Sequence, residues 1–193
     1  MDDGAVLPAR HKLDVDAYYR MADAGIIAHD ARIELIDGEL IDMAPIGQGH
    51  ASTVDRLTEA LFIACQGRAI ISVQNPVRLN QLNEPQPDLT VLRRRDDFYG
   101  TGNRAGPADV LLLIEVSDTS LRYDQTVKLP AYARAGIAEY WVVDLPRRAV
   151  IVHRQPVADS YADISTKGPG DQLALALAPE VVIALNLVFG PTP

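Results

Sequence analysis

The order of elements along this chain predicts an α/β fold in which helices flank a central mixed sheet. Three observations lead there. From Ala51 onward, segments of helical and strand periodicity interleave as helix, strand, strand, strand, helix, strand, the alternation that layers helices on a sheet. The run Val110–Val116 is almost wholly apolar, as suits a strand covered on both faces. The chain has 193 residues, 48% of them apolar and 23% charged, enough to bury a full core as one domain spanning residues 1–193.

Asp14 can cap a helix that runs to about Ala24, with Gly25 as its stop. Arg32–Met43 reads as a hairpin, because Ile33, Leu35, Leu40 and Met43 bracket Asp37-Gly38, a type I′ turn signal. Pro45–Gly49 is loop. Ala51–Gln66 is helical, with Val54, Leu57, Leu61 and either Ile63 or Ala64 on one face and Gly67 at its end. Ala69–Val73 is a β-branched strand broken by Asn75-Pro76, and Asn83–Pro87 is another loop. Asp88–Leu92 is the next strand, followed by Arg93-Arg94-Arg95. Gly100–Pro107, rich in glycine and proline, reads as a mobile or binding loop.

After Val110–Val116 a helix runs to Arg134 or Ala135, where Gly136 ends it. Pro130 lies inside it, so either the regular helix starts near Val127 or the helix kinks. Glu139–Asp144 and Ala149–Arg154 are strands joined by a turn at Pro146. Ser160–Gly170 reads as a polar connection. Leu173–Phe189 is apolar and ambiguous, a strand and then a short helix being the simplest division. No repeat, low-complexity tract or linker interrupts the chain.

Charge and cysteine usage narrow the function classes. The chain has 26 acidic and 18 basic residues, a formal charge of -8, which argues against broad affinity for polyanions but leaves room for a local basic site. The single Cys65 excludes an intramolecular disulfide and a cysteine zinc cage, and its apolar surroundings suit a packed thiol. Met1-Asp2-Asp3 is acidic where a signal peptide needs positive charge, and no run approaches the ~18–20 apolar residues of a membrane span. The cytoplasm is the expected location.

Chemistry concentrates between Gln86 and Lys128. Asp88 follows Pro87 in a strand-like run, Glu115 ends an apolar run, and Lys128 follows thirteen residues later in a helix. A carboxylate from each of two neighbouring strands can hold a hard cation. With one ammonium beside it, that set can neutralise the charge of a phosphorane, as phosphodiester cleavage requires. Each residue also has a plainer reading. Asp88 fits a capping or solvated turn, and Glu115 could form a buried salt bridge with Lys128. Lys128 could instead pair with Asp124 on a helix surface. Glu34 could face outward from its hairpin. His50, next to a helix start, could bond backbone, contact phosphate or take a proton. Gln74 and Ser117 could contact site water. Arg93-Arg94-Arg95 suits a solvated strand end, and Tyr140 and Trp141 suit the core. His11, His29 and His153 lack metal-ligand spacing, and no phosphate loop, nucleophile elbow or HExxH appears.

An ordered set of strings carries a resemblance. It comprises Glu34–Leu40, Gly49-His50 before the helix, Pro85–Asp88, Ile114–Ser117, Asp124 with Lys128, Tyr132–Ile137 and Glu139–Asp144. With the αβββαβ order, it resembles the PD-(D/E)xK restriction-endonuclease-like nucleases, and more closely a bacterial branch, the Uma-type putative restriction endonucleases. The resemblance implies a restriction-endonuclease-like core over about residues 30–155, with an N-terminal hairpin and a C-terminal extension. It implies Mg²⁺ or Mn²⁺ on Asp88 and Glu115 with Glu34 assisting, Lys128 at the attacking water, His50 in the catalytic set, and a nucleic acid substrate, DNA foremost. It also implies a homodimer or higher oligomer. A standard (D/E)xK motif would place lysine at position 117, where this chain has Ser117; in the Uma-type branch that lysine looks transferred to the following helix, where Lys128 lies. The alternatives are a catalytically inactive nuclease-fold protein serving as an interaction or nucleic-acid-binding module, and a metal-dependent hydrolase of another phosphoester.

Overall fold

The computed structural model describes residues 10–28, 30–102 and 104–190; the expectations for Met1-Asp2-Asp3 and His29 lie outside them. Helix α1 (Val15–Asp23) is capped by Asp14, whose Oδ1 accepts from Ala17 N at 2.7 Å. Strands β1 (Ile33–Ile36) and β2 (Glu39–Asp42) form the hairpin. Asp37 and Gly38 both have positive φ, 47° and 75°, as a type I′ turn demands. A Cβ at Gly38 would lie 2.6 Å from Lys12 Cβ, so this close chain crossing requires glycine.

Helix α2 (Gln48–Cys65) precedes β3 (Ala69–Val73), β4 (Leu89–Arg93) and β5 (Val110–Ser117). Next come α3 (Leu121–Tyr123), a π-helical turn over Asp124–Lys128, and α4 (Leu129–Arg134). The chain continues through β6 (Glu139–Asp144), β7 (Ala149–Val157), β8 (Ser160–Lys167), β9 (Gln172–Leu175), β10 (Ala178–Ala184) and α5 (Leu185–Phe189). Six strands form one mixed sheet in the order β3-β4-β5-β6-β7-β8. Only β5 and β6 run parallel, and α3, the π turn and α4 make the crossover between them, as a parallel connection needs.

Strand alternation divides the core. Trp141 and Val143 pack with Leu57 and Leu61 of α2 and with the β9–β10 hairpin. Tyr140 and Val142 face the other way, onto Tyr132 and Ile137. Tyr140 and Trp141 therefore fill the core, as their composition suggested. Among the described residues, no helix is long and apolar enough to cross a membrane.

Several local expectations need correction. Helix α2 starts at Gln48 with Gly47 as its N-cap, so His50 lies in its first turn rather than before it. On its inner face Ala64 packs against the core, whereas Ile63 is exposed. Strand β4 starts at Leu89, leaving Asp88 just ahead of it. Of the two alternatives at Pro130 the structure has the irregular helix: it begins at Leu121, widens over Asp124–Lys128 and is regular from Leu129. Pro130, which has no N–H to donate, follows a widened turn in which Leu129 N bonds Asp124 O. The supposed connection after Ser160 is strand β8: backbone pairing to β7 makes it a strand although its solvent side is polar. The apolar C-terminal region holds two strands before its helix.

Glu139 locks the C-terminal hairpin onto the sheet. Its Oε1 accepts from Trp141 Nε1 (2.8 Å) and Arg154 Nε (2.9 Å), and its Oε2 from Ala176 N (2.6 Å). Glu139→Ala would leave the buried Trp141 Nε1 without an acceptor and release Arg154 and the Ala176 amide from the sheet. Urea unfolding should show a loss of about 3–5 kcal/mol; a loss below about 1 kcal/mol would contradict the assignment.

Candidate active site

Sheet register brings the two strand carboxylates together. In the antiparallel β4–β5 pair, Leu89 faces Ile114 and Thr90 faces Leu113. Extending that register one residue sets Asp88 opposite Glu115, and directly opposed residues share a face. Both side chains are buried. Asp88 lies past the last rung, and its Oδ2 accepts from Val116 N at 2.8 Å, satisfying an amide that β4 leaves unpaired.

Glu115 has the parity of Leu113, so it points to the side of α4. There its Oε1 accepts from Lys128 Nζ at 3.0 Å and Tyr132 Oη at 2.6 Å. Lys128 and Tyr132 lie four apart, one above the other on the helix. Lys128 Nζ also stands 3.1 Å from Glu34 Oε2. Glu34 is thus buried inward and does not face solvent from its hairpin. Gln86 N and Tyr123 Oη add bonds to its carboxylate, at 3.2 and 3.4 Å.

The charges here do not balance. Burial pushes the Glu115 carboxyl well above the usual range; the Lys128 ammonium opposes this, while Asp124, Asp88 and Glu34 reinforce it. Burial acts to lower the Lys128 pKa, but the carboxylates of Glu115, Glu34 and Asp124 outweigh it and hold the ammonium charged. One lysine therefore serves several carboxylates. The alternative surface pair of Lys128 with Asp124 is not formed. Asp124 Oδ2 instead accepts from Ser117 and Ser120 Oγ, both at 2.7 Å.

His50 arrives from the opposite layer. It lies four residues before Val54 and seven before Leu57, so it extends the buried stripe of α2 toward the sheet end. Its Nε2 is 2.9 Å from Asp88 Oδ2, and Gln74 Nε2 donates to Asp88 Oδ1 at 3.4 Å. His50 Nδ1 is buried without a hydrogen-bond partner among the described residues. A pocket of about 530 Å³ opens over this cluster and is lined by Glu34, His50, Asp88, Glu115, Asp124 and Lys128, among others.

All five residues singled out for catalysis thus meet at one pocket. The sequence reading missed Tyr132 and Tyr123 as carboxylate donors; of its two plain alternatives for Lys128, the structure has the buried pair with Glu115 and not the surface pair with Asp124. Tyr132 carried a usable signal, its i,i+4 spacing from Lys128. Other candidates lie elsewhere. Arg93 bonds Ala108 O, Arg94 stacks on Phe98 and Arg95 pairs with Asp97, away at the far end of β4. His153 is buried against Tyr140, His11 is exposed, and Cys65 is a buried thiol.

The donor chemistry fits a hard divalent cation, with carboxylate oxygens, an excess of negative charge and an orphaned ring nitrogen at one pocket. Among the described residues, no three His, Cys, Asp or Glu side chains form a ready metal cage. Mg²⁺ does not need one, because it takes one or two carboxylates and keeps several waters.

Comparison with known proteins agrees with this architecture. The family described as Uma2, putative restriction endonuclease, matches residues 15–186. The fold is similar to the crystal structure of a putative nuclease belonging to DUF820 from Anabaena variabilis ATCC 29413. The TM-score is 0.69 at 15% identity, over 92% of this chain and 97% of that one. At that identity the likeness concerns the fold. No curated protein matches the sequence.

Two substitutions at one contact should affect stability differently. Lys128→Met strands Glu34 and Glu115 without their cation and should cost about 3–5 kcal/mol in urea unfolding. Glu115→Gln removes one crowded carboxylate and leaves Glu34 to pair with Lys128, so stability should hold or rise. Equal losses in both would contradict the charge imbalance described here.

Proposed function

The chain belongs to the Uma2 family of putative restriction endonucleases, and from that premise we propose that it is a metal-dependent endonuclease that hydrolyses phosphodiester bonds in DNA. The observation that carries this reading is the register that faces Asp88 with Glu115 while Lys128 Nζ bonds Glu115. Asp88 and Glu115, assisted by Glu34, would hold Mg²⁺ or Mn²⁺, and a cation there supplies a water of lowered pKa and polarises the phosphate.

The remaining work belongs to the chain's own groups. Lys128 brings a fixed positive charge to the oxygens of the pentavalent phosphorane, and it orients the attacking water through its place beside Glu115. Tyr132 holds Glu115 in one orientation with its 2.6 Å bond. His50 holds Asp88 through Nε2, and its Nδ1, without a partner among the described residues, can take a proton or contact phosphate. The products are a 5′-phosphate and a 3′-hydroxyl. The whole chain acts as one domain in the cytoplasm, and cutting both strands suits a two-fold homodimer. A second reading draws on the Lys128 ammonium, which already bonds both Glu115 and Glu34. In that reading the protein binds nucleic acid or a partner without cutting.

The test is cleavage of supercoiled plasmid with Mg²⁺, Mn²⁺ or EDTA. Wild type should nick DNA with either metal and not in EDTA. Glu115→Gln and Lys128→Ala should each lose on the order of 10²–10³-fold in rate while remaining folded. Retained cleavage in Glu115→Gln would overturn the site assignment. Metal binding without cleavage would favour the non-cutting module.

A further inference from the structure

Two cationic side chains line the pocket, and they are engaged very differently. Lys128 is held by two carboxylates. Arg32 has no acidic partner among the described residues, and its guanidinium makes one hydrogen bond, from Nη1 to Ala44 O at 3.1 Å. Arg10, Arg78, Arg134, Arg147 and Arg154, by contrast, each hold a carboxylate. Asp42 and Asp118 also line the pocket, yet neither pairs with Arg32.

Strand geometry explains the placement. Met43 N bonds Arg32 O at 2.8 Å, which carries the hairpin ladder one residue past β1. Arg32 and Glu34 are two apart, so they project to the same side of that strand. Glu34 is the buried member, at Lys128, and Arg32 is the half-buried member, about 7 Å further along the strand. The bond to Ala44 O also ties Arg32 to the uncharged segment Met43–Gly47, which forms part of the pocket wall and leaves Ile46 exposed.

A polyanion that enters here meets an acidic floor in a chain of net charge -8. Uncompensated positive charge at the rim decides where its backbone can rest, and a guanidinium fork suits phosphate oxygens. We infer that Arg32 is a substrate-binding residue, whose guanidinium takes a DNA backbone phosphate flanking the scissile one. This rests on the endonuclease reading and deepens it, by fixing which side of the pocket the substrate strand enters.

The test pairs duplex binding with cleavage kinetics. Fluorescence anisotropy measures binding of a labelled DNA duplex across a salt series with Ca²⁺ in place of Mg²⁺, and cleavage is followed separately with Mg²⁺. Arg32→Gln keeps a donor for Ala44 O but loses the charge; Arg32→Lys keeps the charge. Arg32→Gln should weaken binding about tenfold and lower the salt slope of log K by about one, with KM raised and kcat within about twofold of wild type. Arg32→Lys should retain the wild-type slope. An unchanged slope in Arg32→Gln at an unchanged melting temperature would overturn the assignment, as would a loss confined to kcat. Cleaving wild type with an indistinguishable Arg32→Gln defeats this inference alone. Wild type that binds with an Arg32-dependent slope but never cuts defeats the endonuclease reading alone. A protein that binds no duplex defeats both.

Discussion

Lys128 Nζ lies 3.0 Å from Glu115 on β5 and 3.1 Å from Glu34 on the N-terminal hairpin, and all three side chains are buried. None of these charges is tolerable there alone, since each lost its water on folding. Together they join the hairpin, the centre of the sheet and the crossover helix at one point. The widened turn Asp124–Lys128 ends at this lysine, and Pro130 follows two residues later. The turn that accommodates the proline thus also delivers the ammonium. Tyr132, one turn beyond, adds a second donor to the same Glu115 oxygen. Sheet, hairpin and helix are therefore mutually positioned by one polar contact set as well as by apolar packing.

That contact set is not optimised for stability. Glu115 is pushed toward its neutral form by burial and by the carboxylates of Asp124, Asp88 and Glu34. A core designed only to fold would gather fewer acids around one cation. Crowded carboxylates at a pocket are instead what a hard-cation site uses, and a perturbed acid in a cleft, as Glu115 is here, marks a candidate functional site. A divalent cation at this carboxylate would favour its charged form. The rim carries the opposite asymmetry, with Arg32 lacking an acidic partner among the described residues above an acidic floor.

Much of the fold was legible because the informative signals were local. The Asp37-Gly38 turn, the apolar run of β5 and the spacing of Val54, Leu57 and Leu61 each specify their element alone. Asp88 and Glu115 were legible as a pair because strand ends and antiparallel register follow from element order. The choice of partner for Lys128 was left open between Glu115 and Asp124. Asp124 lies four residues before it and satisfies the local rule, yet Ser117 and Ser120 claim that carboxylate, and Lys128 turns to Glu115 and also to Glu34, a partner 94 positions away that no local rule reveals. Strand β8 was missed for a related reason: of its eight residues only Tyr161 is buried, so its identity comes from backbone pairing with β7. The start of α2 was placed late because its apolar pattern begins only at Val54; the extra turn carries His50 to Asp88.

The central claim is that Asp88 and Glu115 form a cation site over which Lys128 presides. Crystals soaked in Mn²⁺ and measured at the manganese absorption edge test it most directly. The account predicts an anomalous peak within coordinating distance of an Asp88 oxygen and a Glu115 oxygen, lost in Glu115→Gln crystals treated identically. Occupied Mn²⁺ elsewhere with none at these carboxylates, or a peak that persists unchanged in Glu115→Gln, would contradict it.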